Sequence, residues 1–186
     1  MELILASNSP RRKELLGDEG FTFSVVSSDY EEKAFTLDPI KTTLTFAEGK
    51  ARDVFSKVKD KANTIVLGAD TIVYNDGVIL NKPNGDEQAF NMLKGLSNKT
   101  HKVITGYCII SQEEMVLDYV TTFVTFNDLS DQLISSYVKS GLYKGKSGSY
   151  GIQDPYPLVK CFEGSMNNVI GLPTEAIVPH LKRMLK

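Results

Sequence analysis

The chain of 186 residues has no tryptophan and contains only two histidines and two cysteines. Zinc sites require clusters of cysteine and histidine at close spacing, and the sequence contains no such cluster. Cys108 and Cys161 lie far apart and outside any Cys-x-x-Cys pattern, so we expect both to be reduced thiols. The fold therefore needs neither a disulfide framework nor a structural zinc ion.

Neither sign of charge dominates the chain. Lysine and arginine number 21 and aspartate and glutamate 23, which gives a net charge of −2. This balance provides no long-range positive field, so nucleic acid is not expected as a partner. No apolar run approaches the roughly 20 residues of a membrane span, and the first residues show no signal-peptide pattern. We therefore expect a cytoplasmic protein that does not associate with membranes.

Hydrophobic residues make up 41% of the chain and charged residues 24%, which is typical of a globular protein. The length predicts a single domain over residues 1–186. Apolar runs typical of strands alternate with segments of helical period. This alternation predicts an α/β fold in which a mixed, twisted β-sheet is flanked by helices.

The boundaries of these elements follow from hydrophobic period, caps and turns. Residues 27–33 show no apolar period and are predicted to form a loop. Predicted strands cover residues 3–6, 21–26, 64–70 followed by 71–74, 78–80, 101–110, 115–126 and 152–159, with further β-structure up to Val169. Predicted helices cover 11–16, 40–58 after a cap at Asp38, a segment from a cap at Asp86 to Leu93, a segment from a cap at Ser130 to Lys139, and a closing helix from Thr174.

The turn between the first strand and the first helix is a candidate anion site. Ser9 suits the N-cap and Pro10 the first helical position, so free backbone N–H groups lie beside two guanidinium groups. Helix dipole, amide donors and arginine all favour phosphate oxygens, and the Ser7 hydroxyl adds a further donor. The alternatives are an ordinary N-cap whose Arg11 and Arg12 pair with other groups, and a kinase target sequence.

Three carboxylates, Glu31, Glu32 and Asp70, are candidates for a metal site. Oxygen ligands suit Mg²⁺ or Mn²⁺, and a cation that also binds phosphates needs only one or two protein carboxylates. Asp70 ends an apolar run, and catalytic groups of α/β folds lie at the carboxyl ends of strands. The alternatives are a turn-forming aspartate and a solvated acidic loop.

Two lysines and a glycine-rich segment complete the set of candidates. Lys50 lies on the flank of the 40–58 helix, and Lys82 follows an apolar strand and precedes a proline; the alternative for each is a surface position. The segment from Lys146 to Gln153 has glycines that allow close backbone approach and a glutamine able to pair with a base. It lacks the order of a Walker A loop. Together these signals describe a site for a triphosphate and a metal ion.

The same residues carry a resemblance to a known family. The chain resembles the Maf family of nucleoside triphosphate pyrophosphatases, whose motifs occur in family order along nearly its whole length. The motifs are 5–16, 47–51, 67–73, 82–83, 101–106, 150–153 and 169–173. The resemblance implies two lobes around a cleft, as in inosine triphosphate pyrophosphatases, a homodimer, and hydrolysis of a nucleoside triphosphate to monophosphate and pyrophosphate with a divalent metal.

The resemblance also implies a role for each candidate that binds the triphosphate. Ser7, Arg11 and Arg12 would hold phosphates, and Lys50 and Lys82 would neutralise the triphosphate.

The remaining implied roles concern water, metal and base. Glu32 and Asp70 would serve the metal and the attacking water, with Glu32 favoured over Glu31 only by alignment to the family motif; base and ligand are not distinguished. Gln153 would face the nucleotide. Lys146 is kept in a loop where Gly145 replaces the usual aspartate of the family.

The Ser-Pro-Arg-Arg and Tyr-Gly-Ile-Gln motifs resemble the dTTP/UTP type of the family. The implied function is clearance of dTTP, UTP or modified pyrimidine nucleotides from the nucleotide pool. The alternative is a non-catalytic nucleotide-binding regulator of septum formation in cell division.

Overall fold

The structure is a computed structural model, and it describes residues 1–33 and 38–186. The strands are β1 (Glu2–Leu5), β2 (Ser24–Val25), β3 (Thr64–Asn75), β4 (Val78–Leu80), β5 (Thr100–Ile110), β6 (Met115–Phe126) and β7 (Val159–Glu163). The α-helices are α1 (Pro10–Asp18), α2 (Pro39–Lys57), α3 (Asp86–Leu96), α4 (Asp131–Ser140), α5 (Met166–Ile170) and α6 (Thr174–Met184), with 3₁₀ turns at Lys61–Asn63 and Ser147–Ser149.

These strands form one sheet in the order β2-β1-β3-β5-β6-β7, with β4 paired to β3. β1 runs parallel to β2 and β3, whereas the other pairs are antiparallel. The prediction of a mixed sheet is therefore confirmed. β3, β5 and β6 have 11 or 12 residues each and extend through both halves of the molecule.

The core divides into two lobes that share the sheet. In the first lobe, one face of the sheet packs against α1 and α6 around Leu5 and Leu181, and the opposite face packs against α2 around Ala47. In the second lobe, the far ends of the long strands pack against α3 and α4 around Leu93 and Tyr137. The two-lobed architecture implied by the sequence is present, with a cleft between the lobes.

The α2 helix forms where the sequence predicts it, because its start is specified twice. Asp38 Oδ1 accepts hydrogen bonds from the backbone N–H groups of Ile40 and Lys41 at 2.9 and 3.2 Å, and Pro39 takes the first helical position. Gly68 and Gly106 of the sheet lie directly under this helix. Their missing side chains let α2 approach β3 and β5 closely, which brings its residues near the cleft.

Several local predictions are confirmed. Ser9 caps α1 by accepting from the backbone N–H of Arg12, and Ser130 caps α4. The Asn75-Asp76-Gly77 sequence is typical of a hairpin turn, and Asp76 and Gly77 both have positive φ in the turn that joins the antiparallel strands β3 and β4. Residues 27–33 form no regular element, as predicted.

Other element predictions are wrong. Residues 152–158 form turns, and β7 begins only at Val159; two prolines in this stretch cannot donate to a ladder. Val169 lies in α5, whose start is capped by Ser165. Gly85 and not Asp86 is the N-cap of α3, which runs on to Leu96.

The predicted strand over 21–26 also shortens, to the two residues of β2, which pair with β1 alone at the sheet edge. None of the helices in residues 1–33 and 38–186 has the length and hydropathy of a membrane span.

Candidate active site

A cavity of about 840 Å³ lies between the two lobes. Six basic and two acidic side chains line it among the described residues, so the cleft is locally positive in a chain of net charge −2. Its lining includes every residue that the sequence nominates for the site except Glu31: Ser7, Arg11, Arg12, Glu32, Lys50, Asp70, Lys82, Lys146 and Gln153. A concave, basic site of this size suits a highly charged anionic ligand.

The turn from Ser7 to Arg12 forms one wall of the cavity. Ser7 is buried, and its hydroxyl accepts a hydrogen bond from the backbone N–H of Ser9 at 3.2 Å. The backbone then enters α1, whose first residues Pro10, Arg11 and Arg12 line the cavity. Arg11 extends along this wall and donates to the carbonyl oxygen of Gly145 at 3.3 Å.

The Arg12 guanidinium lies deeper and is held by acceptors of the protein itself. Its Nε donates to the carbonyl of Gly171 at 2.7 Å, and Nη1 donates to the carbonyl of Ala69 at 2.8 Å. Nη2 donates to the Thr71 hydroxyl at 3.0 Å. The Arg12 guanidinium therefore binds β3 at Ala69 and Thr71, the residues on either side of Asp70. These hydrogen bonds help to fix the position of the Asp70 carboxylate.

The Lys50 ammonium joins the two carboxylates of the site. Its Nζ lies 2.6 Å from Asp70 Oδ1 and 2.6 Å from Glu32 Oε1. The side chains of Lys50 and Asp70 are only 15% and 12% exposed, whereas that of Glu32 is 40% exposed. The three groups come from α2, β3 and the 27–33 loop, so the fold assembles them from distant parts of the chain.

Burial and charge act differently on the two carboxylates. Burial raises the pKa of the Asp70 carboxyl above its ordinary value, despite the opposing charges of Lys50 and Arg12. Burial would also raise the pKa of Glu32, but the hydrogen bond and charge of Lys50, with Lys82, outweigh it and lower that pKa. The environment thus separates the proton affinities of the two groups.

One feature of Asp70 differs from the sequence prediction. Asp70 lies in the middle of β3, opposite Gly106 of β5, and not at the carboxyl end of a strand. The apolar run therefore does not stop at the carboxylate; the strand continues to Asn75. A buried carboxylate is tolerated there because Lys50 pairs with it.

The rest of the candidates lie at the rim and on the second lobe. Lys82 is exposed after β4, and Gln153 is exposed beside the turn that follows Gly151. Glu31 is not among the cavity-lining residues and pairs with Lys33 on the exposed loop.

Lys146 belongs to the late loop, which comprises residues 141–151, and its side chain is 11% exposed. Its Nζ lies 2.7 and 2.6 Å from the two carboxylate oxygens of Asp154. A carboxylate therefore contacts this loop although Gly145 stands where the family resemblance expects an aspartate. Sequence reasoning missed Asp154, for which the only signal is an acidic residue next to Gln153.

Sequence reasoning also missed two groups around Arg12. Thr71 and Gly171 accept hydrogen bonds from its guanidinium. Both belong to motifs that carry the resemblance, but only the fold reveals that they converge on one arginine.

The donor set can be tested for a divalent cation. Asp70 and Glu32 supply carboxylate oxygens, which suit Mg²⁺ or Mn²⁺. Across the described residues, no three of the His, Cys, Asp and Glu side chains gather as a metal cluster. Two carboxylates therefore fit a cation that completes its shell with phosphate oxygens and water, and do not fit a closed protein cage.

Comparisons with known proteins identify relatives of this chain. A family model described as Maf-like protein matches residues 2–184. The chain is 44% identical over 176 residues to the dTTP/UTP pyrophosphatase of Thermococcus onnurineus, with 94% of each chain covered. It is 42% identical to that of Ruminiclostridium cellulolyticum, over 98% of this chain and 95% of the relative, and 40% identical to that of Clostridium tetani, over 99% and 98%.

Among solved structures, a nucleoside-triphosphatase, a dITP/XTP pyrophosphatase from Mycobacterium abscessus, aligns with 99% of this chain and 97% of its own. The identity is 14% and the TM-score 0.44. The fold assignment rests on the strand order of this chain and not on that likeness.

Proposed function

The chain belongs to the Maf-like protein family, and on that premise we propose that it hydrolyses dTTP and UTP to the monophosphate and pyrophosphate. The observation that carries the proposal is the cavity in which basic side chains surround a carboxylate pair bridged by Lys50. Modified pyrimidine nucleotides of the same shape would be substrates as well. Their hydrolysis to monophosphates would remove them from the nucleotide pool.

The triphosphate would bind along the wall formed by the Ser7 to Arg12 turn. The backbone N–H of Arg11 at the start of α1, the Ser7 hydroxyl and the Arg11 guanidinium would supply donors to phosphate oxygens. Lys50, Lys82 and the charge of Arg12 offset the negative charge that grows on the leaving group.

Asp70 and Glu32 would hold a divalent cation, Mg²⁺ or Mn²⁺, together with the substrate phosphates. When bound, such a cation supplies Lewis-acid stabilisation of the charge on phosphate oxygens.

The chemical step is attack of a water oxygen on the α-phosphorus. The bond from this phosphorus to the bridging oxygen breaks, and its electron pair leaves with pyrophosphate. The buried Asp70 carboxylate would accept the proton of the water. Glu32 has a lowered pKa and stays ionised through the cycle.

Gln153 would select the base. Its amide can donate to O4 and accept from N3–H of uracil or thymine. An amide held in that orientation faces like groups on cytosine and adenine, whereas guanine offers the same pattern at O6 and N1–H and differs in ring size.

A homodimer and a cytoplasmic location complete the proposal. Both are supported by the family resemblance. Sedimentation of the purified protein, with the dimer mass expected, tests the first of them.

A nucleotide panel tests the function. We expect kcat/KM for dTTP and UTP to exceed that for CTP, ATP, GTP and 7-methyl-GTP, and to vanish when EDTA removes divalent cations.

The Asp70→Asn variant tests the role of this carboxylate. It should fold and lose on the order of 10²–10⁴ in kcat, because the substitution removes the carboxylate with almost no change of volume.

Three results would contradict the proposal at different points. Near-normal kcat in a folded Asp70→Asn protein overturns the role of that carboxylate. A preference for purines overturns the substrate class. Nucleotide binding without any hydrolysis supports the regulator that the sequence leaves as an alternative.

A further inference from the structure

Asp154 is an enclosed carboxylate of the second lobe. Its side chain is 7% exposed. Besides the Lys146 ammonium, its carboxylate accepts from the Tyr137 hydroxyl at 2.6 Å and from the backbone N–H of Gly151 at 3.0 Å. One carboxylate thus ties together α4, the late loop and the turn that precedes Gln153.

The segment between α4 and β7, which Asp154 connects to α4, has little regular secondary structure. Between the end of α4 and the start of β7, only the 3₁₀ turn at Ser147–Ser149 is regular. Gly145, Gly148 and Ser149 adopt positive φ, so the chain reverses direction repeatedly here. Turn hydrogen bonds such as Ser149 N–H to Lys146 O and Asp154 N–H to Gly151 O hold the path locally, and side-chain bonds connect it to the neighbouring elements.

The ion pair packs closely against Gly151. A Cβ atom at this position would lie 2.7 Å from Lys146 Nζ and 2.8 Å from Asp154 Oδ2. The pair therefore packs directly on the backbone of the turn, and a side chain at position 151 would displace the charged ends of Lys146 and Asp154.

Three cavity-lining groups depend on this arrangement. Lys146 is held by Asp154 itself, and Gln153 precedes Asp154 in the chain. Arg11 donates to the carbonyl of Gly145, the neighbour of Lys146. We infer that Asp154 is a positioning residue, which holds the Lys146 ammonium and presents Gln153 to the nucleotide base.

This inference rests on the proposed function, since it concerns how that site recognises its substrate. A purely structural ion pair would lower the folded fraction of a variant without changing which nucleotide the folded fraction prefers. The ratio of kcat/KM for UTP to kcat/KM for CTP cancels the folded fraction, so it separates positioning from stability.

The primary variant is Asp154→Asn, which keeps the shape but leaves the Lys146 ammonium without its counter-charge. We expect its UTP/CTP ratio to fall by about fivefold or more, approaching the ratio of Gln153→Ala. Tyr137→Phe is the matched control, because it removes one hydrogen bond from Asp154 and keeps the ion pair. Its ratio should stay within about twofold of the wild type.

Asp154→Glu covers the case in which Asp154→Asn does not fold. It keeps the charge that the buried ammonium needs and moves the carboxylate outward by one methylene, so the ratio should fall here also. An unchanged ratio in a folded Asp154 variant overturns the positioning role, as does an equal fall in Tyr137→Phe.

A wild type that hydrolyses no nucleotide contradicts the proposed function and not this inference. Binding of α,β-imido-UTP against α,β-imido-CTP then gives the same ratio without turnover. If neither analogue binds the wild type, both proposals are overturned.

Discussion

Arg11 and Arg12 are neighbours in the sequence, but their guanidinium groups have different surroundings. Arg11 makes one long hydrogen bond to a carbonyl and otherwise faces the cavity. Arg12 has acceptors at Gly171, Ala69 and Thr71, which belong to two other parts of the chain. The first residue is available to a ligand, whereas the second also holds the site together.

Alanine substitutions of the two arginines should therefore affect stability and activity differently. Arg12→Ala should lower the free energy of unfolding by about 2–3 kcal/mol, because carbonyls that accepted from a charged donor lose it. Arg11→Ala should change it by about 0.5 kcal/mol or less and should lower kcat/KM for UTP through weaker phosphate binding. Urea unfolding and steady-state kinetics measure both quantities. Equal stability losses with unchanged specific activity would favour the ordinary N-cap.

His101 is a second residue whose surroundings set a measurable property. It is 2% exposed, its Nε2 lies 2.7 Å from the Tyr150 hydroxyl, and its ring meets Phe126 edge-on. Burial lowers its pKa from 6.5 to about 4. Between these two values the unfolded chain binds a proton that the folded chain does not, so stability falls as pH falls through this window.

The size of this effect can be isolated with His101→Gln, which keeps a hydrogen-bonding group and does not titrate. From pH 7.5 to pH 5 the wild type should lose about 2 kcal/mol more free energy of unfolding than the variant. Urea unfolding series at several pH values measure the difference. Parallel stability curves would show that folding does not lower the pKa of His101.

At the scale of elements, the site depends on how closely α2 lies on the sheet. A Cβ atom on Gly106 would stand 2.7 Å from the backbone carbonyl carbon of Thr43, and one on Gly68 would stand 2.5 Å from the carbonyl oxygen of Ala47. Backbone atoms cannot move aside as a flexible side chain can. The position of Lys50 on α2 is thus set by two glycines of the sheet.

Gly106→Ala should therefore displace α2 and move Lys50 away from Asp70. We expect a loss of about 1–3 kcal/mol in stability, from overpacking, and a fall in kcat with it. Gly95→Ala is the control, since that glycine is exposed in α3 with nothing within 4 Å of the added atom. It should stabilise the protein by about 0.5–1 kcal/mol and keep its activity. Full activity in Gly106→Ala would contradict the dependence on this packing.

Elements were predictable from sequence where local signals specify them. α2 has a cap, a proline and an apolar stripe, and the β5–β6 pair has long apolar runs around a short polar turn. The α5 helix was not predictable, because five residues give no period and its formation depends on the cap at Ser165. The mid-strand position of Asp70 was also hidden, since only pairing with Lys50 from another element makes it tolerable.

At the scale of the whole molecule, charge is segregated. The chain carries a net charge of −2, yet six basic and two acidic side chains line the cavity among the described residues. Attraction of a triphosphate is therefore local, and it acts where low-dielectric walls strengthen it. Composition alone could not reveal this, because opposite charges elsewhere on the surface cancel it in the total.

The candidate site was predictable as a set of residues and not as a geometry. Motifs nominated Ser7, Lys50 and Asp70, which the fold brings to one cavity from separate segments. The contacts between them depend on long-range packing, as for the bridge from Lys50 to Glu32 or the support of Lys146 by Asp154. No pattern of neighbours along the chain encodes those distances.

Identification of the products by ³¹P NMR tests most directly whether this cavity cleaves the bond between the α- and β-phosphorus. The protein is incubated with UTP and Mg²⁺, and the resonances of all phosphorus products are followed in time. We expect UMP and pyrophosphate to appear together in equal amounts, with Asp70→Asn as the inactive control. UDP with inorganic phosphate would contradict attack at the α-phosphorus, and an unchanged spectrum of UTP would contradict the enzymatic function.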